Sequence, residues 1–177
     1  MTDPIWLSRS DVESLHTKVI EASGGSHGLR DVNLLESALA RPQNLHAYGE
    51  ADSFQLAASY AEGIARNHAF VDGNKRTAFM SAWLFLRQNG QELTPRDDDG
   101  YVDLMESLAQ GQTSREQMAD YLRANVQSLS QHAGVPQPTN TENMPPSRPM
   151  PGESWIEKYR RAAEPSAPKP RGPRMKP

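Results

Sequence analysis

Apolar residues recur at helical spacing in several stretches of the first 129 residues, and turn-forming residues separate these stretches. The first stretch predicts a helix with Ser10 and Glu13 at its start, because these two residues have the spacing of a capping box. This helix is predicted to stop at the glycine-rich segment 23–28. The second is short and begins near Asp31. Pro42 follows its last apolar residues, which predicts that this helix ends at the proline.

The next two stretches predict the two helices in the middle of the domain. Asp52 or Ser53 caps a third helix, rich in alanine, that runs to about Asn67. A fourth helix over about 73–89 carries apolar residues on every side, so it is predicted to be the central, buried helix. The stretch 41–50 has no clear period, and a small hairpin is the most that we expect there.

Two further helices complete the pattern. One is predicted over about 96–110, with acidic residues in its first turn and Gly111 after its last. The other begins after Ser114, which forms a capping box with Gln117, and is predicted to reach residue 129. Because no long alternating run of apolar and polar residues is present, the sequence predicts an all-α fold.

Composition divides the chain near residue 130. Residues 130–177 contain 11 of the 14 prolines, and they carry 8 basic against 4 acidic residues. Residues 1–129 carry 11 basic against 18 acidic residues. We therefore predict a folded domain over 1–129 and a mostly disordered, basic, proline-rich tail over 130–177. Within the tail, capping residues and an apolar face predict one short helix over 154–163.

Several classes of protein are disfavoured by the composition. The absence of cysteine excludes disulfides, thiol nucleophiles and cysteine-based metal sites. No apolar run is long enough to span a bilayer and the first residues do not resemble a signal peptide, so a cytoplasmic protein without membrane association is expected. The net negative charge of residues 1–129 disfavours direct nucleic-acid binding by the domain.

The densest cluster of reactive side chains lies directly before the predicted central helix. The segment "HAFVDGNKR" (68–76) places a histidine, an acid, a glycine, an amide and two cations within nine positions. A helix N-terminus presents unpaired N–H groups and the positive end of the helix dipole, which together bind anions. Lys75 and Arg76 oppose that dipole, and a polyphosphate would compensate them. The segment lacks the pattern of a Walker A loop.

Each of these residues also has a structural interpretation. His68 fits a general base for an attacking hydroxyl, or a histidine that only caps a helix. Asp72 fits an N-cap residue, a Mg²⁺ ligand or a group that orients a substrate. Lys75 and Arg76 also fit a solvated pair of cations. Their combination in one short segment favours the phosphate-binding interpretation.

The segment 68–76 resembles the H-x-F-x-[D/E]-[G/A]-N-[G/K]-R motif of the Fic/Doc superfamily. Lysine at position 75, where Fic enzymes usually have glycine, is similar to the Doc (death-on-curing) toxin branch. The resemblance extends to "GLRDVNLLESALARPQ" and "NKRTAFMSAWLFLRQNG" and covers roughly residues 5–127. The tail is not part of it.

This resemblance implies a Fic-type helical bundle, a flap over the site near residues 41–50, and transfer of a phosphate-containing group to a protein hydroxyl. His68 would be the base, Asp72 would assist with metal or substrate, and Phe70 would anchor the loop. The nucleotide phosphates would be held by Gly73, Asn74, Lys75, Arg76 and Arg66.

The Doc branch further implies a translation-inhibiting kinase toxin that uses ATP and Mg²⁺, phosphorylates a threonine of elongation factor Tu, and is covered by a cognate antitoxin. We expect Lys75 to fill the anion site, so that the nucleotide binds reversed with its γ-phosphate beside His68. Gly73 instead resembles AMP-transferring relatives, so protein adenylylation is the first alternative. The second alternative is a non-catalytic, antitoxin-binding regulator.

Overall fold

The computed structural model describes residues 3–49, 51–93 and 100–128. In these residues the chain forms six helices and two short strands. In chain order they are α1 (Arg9–Ser23), α2 (Val32–Ala47), α3 (Ser53–Asn67), α4 (Asn74–Gln88), β1 (Gln91–Leu93), α5 (Gly100–Ala109), α6 (Arg115–Ala124) and β2 (Val126–Ser128). The prediction of an all-α fold is confirmed, with one small two-stranded sheet added. The predicted tail and its helix over 154–163 lie outside the described residues.

Helix α1 begins two residues earlier than predicted. Its capping box is formed by Ser8 and Asp11 instead of Ser10 and Glu13. The Ser8 hydroxyl accepts the N–H of Asp11 at 3.2 Å, and the Asp11 carboxylate accepts the N–H of Ser8 at 2.8 Å. Ser10 and Glu13, the two residues of the predicted capping box, both lie inside the helix. Glu13 forms an ion pair there with Arg9 one turn earlier.

Helix α2 does not end at Pro42, which corrects both the predicted boundary and the predicted flap. The helix continues through the proline to Ala47, so residues 41–47 are helical and form no hairpin. Proline lacks an N–H and cannot bond to the carbonyl of Ala38. That carbonyl faces α3, where a Cβ on Gly63 would lie 3.1 Å from it. Helix α2 therefore lacks one backbone hydrogen bond at Pro42, and it packs closely on α3 at the carbonyl that this bond would have used.

Helices α3 and α4 form the centre of the bundle. Nine residues of α4 are buried, as the apolar pattern predicts: Thr77, Ala78, Phe79, Met80, Ser81, Ala82, Trp83, Phe85 and Leu86. Helix α4 packs against α3, α1, α5 and β1, whereas α3 also contacts α2 and α6. The N-terminus of α4 is consequently held by a helix that is enclosed by neighbours along its length.

The chain after α4 closes the bundle with a small antiparallel sheet. Strand β1 pairs with β2, with Gln91 opposite Ser128 and Leu93 opposite Val126. Helix α6 begins at the predicted capping box but ends at Ala124, because the following residues form this strand. Helix α5 begins at Gly100, and residues 96–99 of its predicted first turn lie outside the described residues. Among the described helices, none is long and apolar enough to cross a membrane.

Candidate active site

His68 lies at the junction between α3 and the loop that leads to α4. It caps α3 in the left-handed conformation, with φ 49° and ψ 44°, and its side chain is exposed. It is the one non-glycine residue with positive φ in the part of the chain that the structure describes. This conformation costs about 1 to 2 kcal/mol for an L-amino acid. The Arg30 guanidinium donates to the His68 carbonyl and helps to hold the backbone there.

The residues after His68 are fixed by pairing with the segment before α2. The Arg30 N–H donates to the carbonyl of Ala69 at 2.8 Å, and the Val71 N–H donates to the carbonyl of Gly28 at 2.9 Å. Phe70 lies between these bonds, forms an isolated bridge with Leu29 and is 1% exposed. The prediction that Phe70 anchors the loop in the core is therefore confirmed by its burial.

The side chain of Asn74 closes the loop from within. Its amide oxygen accepts the N–H of Phe70, and its amide nitrogen donates to the carbonyl of the same residue, both at 2.9 Å. These two bonds engage both ends of the side-chain amide. Asn74 therefore offers the site its backbone N–H, while its side chain holds the loop that begins at His68.

The N-cap of α4 is Gly73 and not Asp72, which corrects the predicted N-cap. Gly73 has φ 72° and makes no side-chain capping bond. The first bond of the helix runs from the N–H of Thr77 to the carbonyl of Gly73 at 2.9 Å. The N–H groups of residues 74–76 therefore have no helical acceptor, and they remain at the positive end of the helix dipole.

The Asp72 carboxylate lies beside this N-terminus. It accepts hydrogen bonds from the N–H of Gly73 and, at 3.2 Å, from the N–H of Ser26. Those two bonds, and then the nearby Arg76 guanidinium, lower the pKa of Asp72 below its usual value, so the carboxylate is charged at neutral pH. A Cβ on Gly25 would lie 2.4 Å from the carboxylate, so glycine at that position leaves room for it.

The two cations of the segment point in different directions. Arg76 donates to the Ser23 hydroxyl, to the carbonyl of Gly24 at 2.8 Å and, weakly, to Asp72 at 3.4 Å. Lys75 reaches across to α5, where its ammonium pairs with Glu106 and lowers the pKa of that carboxylate. The lysine side chain therefore does not fill the helix N-terminus as expected, and it lies half-exposed at one side.

These residues share one cavity of about 400 Å³. His68 and the residues from Val71 to Arg76 form one wall, and α5 forms the other with Tyr101, Val102, Met105 and Glu106. The cavity thus has a charged wall opposite a largely apolar one. A second depression of about 460 Å³ lies between α1 and α4, and its lining includes no histidine and no residue of the segment 68–76.

Arg66 does not belong to this cavity, unlike the other predicted site residues. Its guanidinium pairs with Glu62 at 2.8 Å and donates to the carbonyl of Leu108 at 3.0 Å. It lines a separate depression beside Gly111. Because both interactions turn it towards α5 and the start of α6, the structure does not bring Arg66 to the predicted phosphate group.

Besides Ser26, whose N–H binds the Asp72 carboxylate, sequence reasoning missed His16 and Glu106 as contributors to the site. His16, on α1, is 3% exposed, and its ring stacks on that of Phe70 with centroids 4.0 Å apart. Glu106 reaches Lys75 from α5. Neither residue lies in a recognisable motif, and helical spacing alone places His16 among the apolar residues Val12, Leu15 and Val19 of α1.

The fold and the site define a class of protein. An exposed histidine, an uncapped helix N-terminus and two flanking cations lie around one cavity of a helical bundle, which is the arrangement expected of a Fic-type site. The family model for the Fic/DOC family matches residues 6–86.

Two relatives extend that match. A "Protein kinase doc" of Escherichia phage P1 is 39% identical over 118 residues, which cover 66% of this chain and 92% of the relative. A "Toxin Doc" of Mycolicibacterium smegmatis is 43% identical over 109 residues, which cover 59% of this chain and 80% of the relative. The chain therefore belongs to the Fic/DOC family, and the predicted resemblance is confirmed.

Proposed function

We propose that this protein is a Doc-type toxin that transfers the γ-phosphate of ATP to a hydroxyl group of a target protein. The proposed target is a threonine of elongation factor Tu, and its phosphorylation would arrest translation. The observation that carries the proposal is the shared cavity, in which His68 and the open N-terminus of α4 face the same space. The names of the two relatives, a protein kinase and a toxin, support it.

In the proposed reaction His68 accepts the proton of the attacking hydroxyl. The hydroxyl oxygen forms a bond to the γ-phosphorus, and the bond from that phosphorus to the β–γ bridging oxygen breaks. ADP leaves with the electron pair of the broken bond. The exposed position of His68 supports this role, because a protein substrate must bring its hydroxyl to the imidazole from outside.

The phosphates would bind at the start of α4. Backbone N–H groups of residues 74–76 supply hydrogen bonds there, and Arg76 and Lys75 supply positive charge. Both cations have protein partners in the free protein, so binding exchanges those partners for phosphate oxygens. Charge that develops on the leaving group is stabilised by the same donors.

Asp72 fits a Mg²⁺ ligand by its chemistry. Its carboxylate is ionised, half-exposed and adjacent to the proposed phosphate site. Mg²⁺ in nucleotide sites commonly uses one or two carboxylates together with phosphate oxygens and water, so a single acid is sufficient. When bound, the ion would neutralise charge on the phosphate oxygens. Asp72 also holds the turn through Ser26 and Gly73, so it contributes to the site in either case.

Adenylylation remains the alternative reaction, and the direction of Lys75 favours it. The ammonium pairs with Glu106 instead of occupying the helix N-terminus, which leaves room for a nucleotide in the orientation that exposes its α-phosphate to His68. In that reaction the hydroxyl oxygen bonds the α-phosphorus and pyrophosphate leaves. If the reaction is adenylylation, the Lys75→Gly variant should transfer nearly the same group as the wild type. If the reaction is phosphoryl transfer, the same substitution should shift the transferred group from phosphate towards AMP.

A cognate antitoxin is the proposed regulatory partner. The relative named a toxin supports a toxin–antitoxin module for this chain. A purely antitoxin-binding protein would have no need of a base beside an anion site, so the arrangement of His68 and α4 disfavours the non-catalytic alternative. Calorimetry distinguishes the two, because the non-catalytic protein should show no Mg²⁺-dependent affinity for ATP.

The proposal is tested with purified protein, Mg²⁺ and elongation factor Tu, using ATP labelled at either the γ- or the α-phosphate. We expect label on the protein target from γ only, with His68→Ala reducing the rate by about 10²- to 10⁴-fold. His46→Ala, which removes a histidine that packs on Trp6, is the matched control and should keep full activity. Label from α only would establish adenylylation, and no label from either would exclude both transfers to this target.

A further inference from the structure

His16 is a buried polar residue that the proposed reaction does not use. It lies on the face of α1 that packs under the loop 68–73, and 3% of its surface is exposed. Its ring lies parallel to that of Phe70, with an interplanar angle of 6°. Buried polar groups generally have hydrogen-bond partners, and the partner of a buried histidine indicates which group it holds.

That partner is the backbone of the active-site loop. The Nε2 atom of His16 lies 2.9 Å from the carbonyl oxygen of Asp72. A carbonyl can only accept a hydrogen bond, so Nε2 carries the proton and donates it. Burial is the main cause that lowers the pKa of His16, and the bond to Asp72 partly opposes it. The geometry of the bond to the Asp72 carbonyl therefore places a ring proton on Nε2.

The bonded carbonyl is placed where it controls the start of α4. The carbonyl of Asp72 and the N–H of Gly73 belong to one planar peptide unit, so fixing one fixes the other. Gly73 then turns into its left-handed conformation and directs the N–H groups of residues 74–76. Other parts of α1 contact the same turn: the Ser23 hydroxyl accepts from Arg76, and Ile20 lies against Gly73.

We propose that His16 is a positioning residue, which orients the Asp72–Gly73 peptide so that the N–H groups of α4 face the group transferred near His68. The proposal rests on the proposed transfer of a phosphate-containing group. It assigns separate roles to the two parts of His16: the ring packs on Phe70, and the Nε2–H sets the angle at which α4 begins. Small errors in such geometry can reduce a rate by about a hundredfold.

Two substitutions separate these roles. His16→Gln keeps a side-chain N–H at about the position of Nε2 and loses the ring, whereas His16→Phe keeps a flat ring and loses the donor. His46→Phe is the matched control, because His46 also packs its ring on an aromatic residue, Trp6, with centroids 5.4 Å apart and away from the loop. Should His16→Phe not fold, His16→Leu, which also lacks a donor, takes its place.

Two measurements on the full chain give the result. The first is the kcat and KM for label transfer from ATP. We expect His16→Phe to lower kcat by about 10- to 100-fold with KM for ATP changed less than about threefold, His16→Gln to restore most of kcat, and His46→Phe to change neither. The second is hydrogen exchange of residues 69–76 without nucleotide, which should become faster in His16→Phe only.

The outcomes are distinct for the two proposals. If wild-type protein transfers no label, the proposed function fails, and hydrogen exchange alone then decides the role of His16. A loss of kcat in His16→Gln with an unchanged kcat in His16→Phe would show that only the ring matters and would overturn the positioning role. Equal losses in the two variants would also overturn it, because the donor kept in His16→Gln would then restore nothing. Unchanged kcat and unchanged exchange of residues 69–76 in a folded His16→Phe protein would also overturn it.

Discussion

Helix α4 begins in a different way from three other helices of this protein. Helices α1, α3 and α6 each start with a capping box, in which side chains of the first turn satisfy the free backbone N–H groups. Helix α4 starts at a glycine with no side-chain capping bond, and two cations follow in its first turn. A capped start stabilises the helix, whereas the open start of α4 leaves N–H groups for an external acceptor. The contrast supports the proposal that the N-terminus of α4 is a binding site.

The contrast also applies to the two ends of α4. Arg76 in the first turn opposes the helix dipole, whereas Arg87 in the last turn complements it and lies 5.1 Å from the Trp83 ring centroid. An unfavourable position for a cation is explained if Arg76 binds an anion. Arg87 requires no such explanation, and the two residues therefore form a natural pair for comparison.

The largest effect is expected from removing the cation at the open start. Arg76→Gln should raise the dissociation constant of Mg²⁺-ATP by about tenfold to a hundredfold, because a charged hydrogen bond to phosphate contributes about 1.5 to 3 kcal/mol. Arg87→Gln should leave the affinity unchanged. Titration calorimetry at constant ionic strength measures both. An equal loss of affinity in the two variants would show that the cation at the start of α4 has no special role in binding the nucleotide.

A smaller effect, on stability alone, is expected at a capped start. Ser114 accepts the N–H of Gln117 at 3.2 Å, and Ser114→Ala should lower the free energy of unfolding by about 1 kcal/mol. The rate of label transfer should not change, because α6 begins outside the cavity. Denaturant unfolding and the transfer assay together test this. A loss of transfer out of proportion to the loss of stability would contradict the division between capped and open starts.

The smallest effect is the pH dependence contributed by Asp72. Bonds from Gly73 and Ser26 lower its pKa in the folded protein, so its contribution to stability is present above the unfolded value of about 3.9 and is lost as the pH falls through the folded value. Wild type should therefore be more stable than Asp72→Asn at pH 7, and the difference should shrink below about pH 4. Urea midpoints between pH 3 and pH 7 measure it, and a constant difference would contradict the lowered pKa.

Local signals in the sequence predicted much of the fold. Gln117 and Asp52 mark helix starts through short-range capping, and the apolar surface of α4 marks its burial. The predicted end of α2 at Pro42 was wrong because a proline usually ends a helix, whereas this helix continues through Pro42 where α2 packs closely on α3. The strand at 126–128 was missed for a similar reason, since its partner β1 is more than 30 residues away.

The candidate site was predictable only where it is continuous in sequence. The segment 68–76 places a base before an anion-binding turn within one loop. His16, Ser26 and Glu106 reach that loop from other elements, and their contribution depends on tertiary packing that no local pattern encodes. Arg66 shows the converse, because it lies two residues before His68 and yet lines a separate depression, where it contacts Glu62 and the carbonyl of Leu108.

The proposed function requires that the open N-terminus of α4 binds the phosphates of a nucleotide. The most direct test is an NMR titration of ¹⁵N-labelled protein with Mg²⁺-ATP and, separately, with adenosine. We expect ATP to shift the backbone amide resonances of residues 73–76 and adenosine to leave them nearly unchanged. Saturable ATP binding that leaves residues 73–76 unaffected, with shifts elsewhere in the bundle, would contradict it.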